Sequence, residues 1–202
     1  MKVIVQNLQK RKGLGTNLVG QYDPDIFLAQ EINLSLETAF KNNNSANNTS
    51  SMGYGTLIYG KEKLSDIKRV ESPYYETGTF IKKKTTIATI SGIQFVSFHG
   101  YNGQPFKNVS KLVAHVKAVL EKLDPYLPVM FAGDFNTWSQ KHIDEVIEAM
   151  SRTGLTHAGS WPYPGRVLPL DHVFVRDVII SKQNVYENES DHMGIILECR
   201  KK

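Results

Sequence analysis

Four apolar runs in this chain each adjoin a polar residue suited to hydrolytic chemistry. Asp-Ile-Phe-Leu-Ala-Gln-Glu over 25–31 ends in the carboxylate of Glu31, and Val-Met-Phe-Ala-Gly-Asp-Phe-Asn over 129–136 ends in Asp134 and Asn136. Phe-Val-Ser-Phe-His over 95–99 ends in His99, and Ser190-Asp191-His192 stands directly before a run at 193–197. Buried strands that bring Glu, Asp, Asn and His to one rim would build a metal-assisted hydrolytic site. Hard divalent cations take carboxylate oxygens, and hydrolysis needs a base, an acid and stabilisers of charge. Each residue alone has a plainer reading. Glu31 can be a solvated strand end, His99 a hydrogen-bonded surface histidine, Asp171 a turn residue after Pro169-Leu170, and Asp134 with Asn136 an Asx turn. The conjunction carries the argument.

The spacing within each run sharpens it. In an extended chain Asp134 and Asn136 would point to one side and Phe135 to the other, and Gly133 would allow close backbone approach. One of the pair could hold or activate a water and the other a phosphate oxygen. Asp191 and His192 are adjacent, so their side chains would diverge rather than pair.

The elements that must position these residues follow from periodicity. Strands are predicted over 3–5, 26–29, 56–59, 67–70, 79–81, 85–90, 93–98, 129–132, 173–175, 178–180 and 195–197, with Ser91-Gly92 as a tight hairpin turn. Helices are predicted over 109–123, stopped by Asp124-Pro125, and over 142–150. A short, weakly patterned helix is expected at 33–40. The polar run at 41–51 reads as a mobile loop. Strands and helices in this irregular order point to an α/β fold with mixed sheets.

Composition sets the outer limits. The chain has 202 residues, 41% hydrophobic and 22% charged, in the range of a globular protein. No linker is visible, so one domain over 1–202 is expected. No apolar run approaches the ~20 residues needed to cross a bilayer, so no membrane insertion is expected. Residues 1–6 are too short for a signal peptide and read as a strand. Cys199 is the single cysteine, which excludes an internal disulfide and a cysteine zinc site. A cytoplasmic setting is the default. The net charge is +4, from 24 basic and 20 acidic residues. It mildly favours an anionic partner, though ordinary solubility charge explains it equally well. Lys10-Arg11-Lys12 follows the first strand, and Lys82-Lys83-Lys84 lies between two strand-like runs. No protein partner can be inferred, and the expectation is a monomer.

The order of these motifs resembles the endonuclease/exonuclease/phosphatase superfamily, the DNase I-like fold. The resemblance runs from Asn7 to His192. It rests on Asn7 after the first strand, Gln30-Glu31, Ser97-Phe98-His99, Gly133-Asp134-Phe135-Asn136, Leu170-Asp171-His172-Val173-Phe174 and Ser190-Asp191-His192. It implies a four-layer sandwich: two mixed β-sheets face to face, helices outside, the site at one end. It also implies that Glu31 ligates Mg²⁺ or Mn²⁺, with Asn7 close by and Asp191 contributing. Asp134 would orient or deprotonate water, and Asn136 would hold the scissile phosphate. His192, polarised by Asp171, would stabilise the phosphorane, and His99 would donate near the leaving side.

Three departures from the family pattern bear on substrate. The chain is short, with room for only one or two helical turns between Asn7 and Asp25. Apurinic-site nucleases of the family usually carry Tyr where this chain has His99, which argues against that role. The glutamate that partners the first histidine in the DNase I-like branch has no identifiable counterpart, and Gly53 or Tyr54 occupies its region.

The expected activity is therefore a metal-dependent phosphoesterase, with a nuclease first. A phosphatase or phosphodiesterase of small or lipid phosphoesters comes second, and a catalytically silent polyanion-binding module last. Lys10 and Arg11 are expected on backbone phosphates, with Trp138, Tyr101 and Trp161 as stacking candidates. Arg166 is a candidate phosphate contact, and Asn102, in the Gly100–Gly103 loop after His99, a further substrate contact. The absence of a long exposed apolar loop disfavours a membrane-lipid substrate.

Overall fold

The computed structural model describes residues 1–37, 40 and 44–202. The strands are β1 (Lys2–Asn7), β2 (Ile26–Asn33), β3 (Ser45–Thr49), β4 (Tyr54–Gly60), β5 (Ser65–Tyr75), β6 (Lys82–Ile90), β7 (Ile93–His99), β8 (Val129–Asp134), β9 (Thr156–Trp161), β10 (Asp171–Arg176), β11 (Val178–Tyr186) and β12 (Gly194–Lys201). The helices are α1 (Leu14–Tyr22), α2 (Val109–Leu120) and α3 (Gln140–Ser151). One sheet has the order β11-β12-β1-β2-β4-β3, the other β5-β6-β7-β8-β10-β9. Each has a parallel pair at its centre, β1–β2 and β7–β8. A parallel pair needs a crossover, which α1 supplies in the first sheet and α2 in the second.

Burial sorts the side chains into layers. Val3, Val5, Leu28, Phe95, Met130, Ala132, Val173 and Leu197 fill the space between the sheets. Ile4, Phe27 and Leu57 on the outer face of the first sheet pack under Leu14 and Leu18 of α1. Val96, Phe98, Phe131 and Phe174 on the outer face of the second pack under Leu112, Val116, Val146 and Met150 of α2 and α3. This is the expected α/β sandwich of two mixed sheets with helices outside.

Local chemistry explains the boundaries. Ser91 and Gly92 both have positive φ, 51° and 74°, as a two-residue hairpin turn of the primed type requires. Asn108 caps α2 by accepting from Lys111 N, and Ser139 caps α3 by accepting from His142 N. α1 has no such side-chain cap. Instead the buried Glu37 carboxylate accepts from the backbone N–H groups of Gly15 and Thr16, at 3.2 and 2.8 Å, a favourable place for negative charge.

Several sequence expectations need correction. The expected helix at 33–40 is a single 3-10 turn, Leu34–Leu36, with 38 and 39 outside the described residues. The polar run at 41–51 is not simply a loop. Residues 41–43 lie outside the described residues, but Ser45–Thr49 pairs with β4 as an edge strand. Asn48 explains why so polar a segment joins a sheet: its Nδ2 donates to Val70 O and Thr85 O at 2.9 and 3.0 Å. Residues 79–81 belong to the β5–β6 turn rather than to a strand, because Glu76 N donates to Ile81 O and Thr79 N to Glu76 O. Helix α2 ends at Leu120, not 123, and β9 had no sequence expectation at all.

Candidate active site

Register brings the chemistry to one end of the sandwich. In the second sheet His99 lies beside Asp134 and Asp134 beside Asp171. In the first, Asn7 lies beside Gln30, and β12 beside β1 begins just after His192. The two sets meet across the sandwich, where Asn7 Nδ2 donates to Asp134 Oδ2 at 3.0 Å.

Unusual backbone aims two of the side chains. The β2–β4 register shifts between Ala29 and Ile32, and Glu31 has φ 51°. This is a bulge that turns the strand-end carboxylate toward the site. Asn136 also has positive φ, 53°, and its N–H donates to Asp134 Oδ1 at 2.8 Å. The run 134–136 is therefore an Asx turn, not the extended segment considered from sequence. Its Nδ2 donates to Gly100 O at 3.0 Å. Gly133 has φ 140°, and a Cβ there would lie 2.2 Å from Phe98 O, so the close approach expected at this glycine is real.

His192 anchors one half of the site. Its Nδ1 lies 2.7 Å from Asp171 Oδ2 and its Nε2 3.8 Å from Asp134 Oδ2. Burial opposes its charged form, but Asp171 and Asp134 outweigh burial and raise its pKa to about 10. Burial raises both carboxylates, Asp134 to about 6 with His192 opposing the rise. Asp171 Oδ1 is buried with no hydrogen-bond partner among the described residues.

His99 anchors the other half. Its Nε2 lies 3.6 Å from Glu31 Oε1, 3.6 Å from Asp134 Oδ2 and 2.6 Å from Lys83 Nζ. Burial and the Lys83 ammonium hold its pKa well below the ordinary 6.5, so His99 is neutral and accepts from Lys83. The hydrogen-bond partner of His99 Nε2 is thus Lys83 rather than a glutamate.

The remaining expected residues separate into groups. Asp191 is exposed and its Oδ2 accepts from Tyr163 OH at 3.2 Å. It does not pair with His192, as its position predicts. Lys10 Nζ lies 4.0 Å from Glu31 Oε2 and over the Tyr54 ring, while Arg11 is exposed beside Gln9. Trp138 donates from Nε1 to Asn102 Oδ1 at 2.8 Å, and Lys107 and Arg166 lie against its ring. Arg166 also donates to Trp138 O, so Trp138, Asn102 and Arg166 form one interlocked loop cluster. Tyr101 and Trp161 are 2% and 1% exposed, which removes both as stacking surfaces. Trp161 instead packs in the core and donates to Met193 O.

Sequence reasoning missed three contributors. Tyr163 sets its ring edge-on against His192 at 4.7 Å. Glu76 accepts from the N–H groups of Asn102 and Gly103 and fixes the loop after His99. Lys83 was visible only as part of a basic run. Counting pairs outward from the Ser91–Gly92 turn leads to Lys84 opposite His99, so the count finds the basic run but not that Lys83 is the lysine that reaches the imidazole. Glu76 and Lys83 line a cleft of about 190 Å³ together with Lys10, Glu31, Tyr54 and His99, among others.

The donor set suits a hard divalent cation. Glu31 contributes a carboxylate, Asn7 an amide oxygen and Asp191 an exposed carboxylate. Mg²⁺ is commonly held by one or two carboxylates with water completing the shell. Among the described residues no group of three or more His, Cys, Asp or Glu forms a ready-made cage.

The sequence model of the Endonuclease/Exonuclease/phosphatase family matches residues 16–192. The chain belongs to this family. Its members are phosphoester hydrolases that generally use divalent metals. The chain is 35% identical over 75 residues to the UPF0294 protein VV2535 of Vibrio vulnificus, a match covering 35% of this chain and 26% of that protein. Among solved structures it resembles an endonuclease/exonuclease/phosphatase from Beutenbergia cavernae, with TM-score 0.78 and 15% identity over 100% of this chain and 71% of the other. It also resembles the 3'-5' exonuclease NExo of Neisseria meningitidis, with TM-score 0.68 and 18% identity over 98% and 99% of the two chains. No helix among the described residues is long and apolar enough to cross a membrane.

Proposed function

We propose that this protein is a Mg²⁺- or Mn²⁺-dependent nuclease that hydrolyses phosphodiester bonds by attack of water. The observation that supports it most directly is the Asp171–His192–Asp134 arrangement, a cationic imidazole held between two buried carboxylates. A divalent cation held by Glu31, Asn7 and Asp191 would supply Lewis-acid polarisation of a phosphate oxygen. Asp134 takes the proton of the attacking water. His192, kept protonated by Asp171, stabilises the charge that builds on the phosphorane oxygens. Asn136 orients the scissile phosphate. Lys10 lines the cleft and Arg11 is exposed next to it in the chain, suited to backbone phosphates, while the Asn102–Trp138–Arg166 loop cluster is assigned further substrate contacts.

The chain acts as one domain over 1–202 and as a monomer in this reading. The single, buried Cys199 keeps the cytoplasmic expectation within it.

A second reading, hydrolysis of a lipid phosphoester, draws on a different observation. Phe80, Phe106 and Val167 are 98%, 80% and 99% exposed, on three separate loops at the site end. Aromatic side chains there also suit stacking on unpaired bases, which keeps the nuclease first.

The deciding experiment is a hydrolysis panel with Mg²⁺, Mn²⁺ or EDTA. It contains supercoiled and single-stranded DNA, RNA, an abasic duplex, an inositol phosphate and a phospholipid vesicle, with Asp134→Asn as control. Metal-dependent cleavage of a nucleic acid that the variant lacks is expected. Turnover of the inositol phosphate or lipid alone would overturn the nuclease reading in favour of the second.

A further inference from the structure

The lysines of the cleft differ in how their charge is met. Lys10 faces Glu31 at 4.0 Å, Lys84 pairs with Glu71, and Lys82 lies over the Tyr75 ring at 4.9 Å. Lys83 has no carboxylate within 4.0 Å among the described residues, and its hydrogen bond runs to His99 Nε2 at 2.6 Å. An ammonium has three donors and no acceptor, so two remain for the cleft that Lys83 lines. The Lys83 charge reaches Asp134, whose pKa it lowers, but among the described residues no carboxylate forms a direct ion pair with the ammonium. The site therefore has a positioned cation with two donors left for a bound anion.

We propose that Lys83 is a further catalytic residue of this site, the one that holds the leaving-group oxygen. The inference rests on the hydrolase reading above. Lys83 is reached from Asp134 through His99, since His99 Nε2 touches both while Lys83 forms no ion pair with Asp134. In an in-line displacement the water attacks from the Asp134 side and the leaving oxygen departs away from it. The new bond joins water oxygen to phosphorus, and the bond from phosphorus to the leaving oxygen breaks. The water proton passes to Asp134, and the departing oxygen, hydrogen-bonded to Lys83, takes its proton from solvent. His99 Nε2, 2.6 Å from the ammonium, keeps it in place.

This assigns a substrate class. A cation at the leaving oxygen matters most for an aliphatic alkoxide such as a sugar hydroxyl, and least for a phenolate that already leaves easily. The preferred substrates are then esters with sugar-type leaving groups.

The test compares wild type, Lys83→Met and Lys83→Arg on dithymidine monophosphate and on the p-nitrophenyl ester of thymidine 5′-monophosphate. Thermal melting controls for folding, and binding of inorganic phosphate is followed by calorimetry. Loss of one positioned donor at a developing oxyanion costs about 10²- to 10³-fold. Lys83→Met is expected to lose at least about 100-fold on the dinucleotide and less than about 10-fold on the p-nitrophenyl ester, with Lys83→Arg recovering part of the loss. It should also weaken phosphate binding. Equal losses on the two esters, no loss on either, or unchanged phosphate binding would overturn the proposal. A folded wild type that cleaves neither ester would instead remove the hydrolase reading beneath it.

Discussion

His99 and His192 are equally buried, each 6% exposed, and lie on either side of Asp134, yet they are set to opposite charge states. His192 stands against two carboxylates and holds its proton up to about pH 10. His99 touches carboxylates only at 3.6 Å and meets an ammonium at 2.6 Å, so it stays neutral. Burial disfavours the imidazolium in both places. What separates them is the charge of the nearest partner, Asp171 in one case and Lys83 in the other. One fold thus offers a fixed cation and a fixed acceptor a few ångströms apart.

The comparison breaks most completely if the base between the two halves is lost. Asp134→Asn should reduce kcat/KM about 10³-fold or more in a phosphodiester assay, since a positioned base contributes about 10²- to 10⁴-fold. His192→Gln should cost about as much, and substantially more than His99→Gln. Equal effects of the two histidine variants would show that their charge states do not matter to turnover.

Asp171→Asn sharpens the comparison by removing the charge that distinguishes His192. The expected result is a loss of about 100-fold in kcat/KM. The alkaline limb of its pH profile should also move from near pH 10 down toward the ordinary histidine range. An alkaline limb that stays in place would assign it to a different group.

Stability measured in EDTA should reveal the same opposition with smaller amplitude. The pKa of His192 is raised, so its contribution is complete below about pH 6.5, the unfolded value, and is lost as pH rises toward about 10. The pKa of His99 is lowered, so the fold's preference for its neutral form is present above about 6.5 and lost as pH falls below it. The melting temperature of His192→Gln should therefore decline less steeply than wild type across about pH 6.5 to 10. His99→Gln should decline less steeply on the acid side. Parallel curves for all three proteins would contradict the assignment.

The smallest effect is expected outside this pair. Lys10→Ala combined with Arg11→Ala should weaken polyanion binding and reduce the slope of log affinity against log salt by about 1 to 2. An unchanged slope would remove that loop from the substrate path.

Much of the fold was legible in local sequence. The strands at 93–98 and 129–132 and the helix starting at 109 follow from periodicity, and the Ser91–Gly92 turn from the two residues that accept positive φ. The edge strand Ser45–Thr49 was not legible, because its reason is Asn48 reaching carbonyls of the opposite sheet. Nor was the burial of Tyr101 and Trp161, whose aromatic character fits a binding surface as well as a core.

The sequence by itself determined which groups reach the strand ends, because alternation and apolar runs fix where a strand stops and which polar residue follows it. It also determined the family, since the order of Asn7, Glu31, Asp134, Asn136, Asp171 and His192 survives without any coordinates. Only the tertiary structure decided what each group faces. The bulge that turns Glu31, the Asx turn that bends Asn136, and the pairing of His192 with Asp171 and His99 with Lys83 all depend on distances across strands and sheets. Charge state in a buried site follows those distances steeply, and chain order does not encode them.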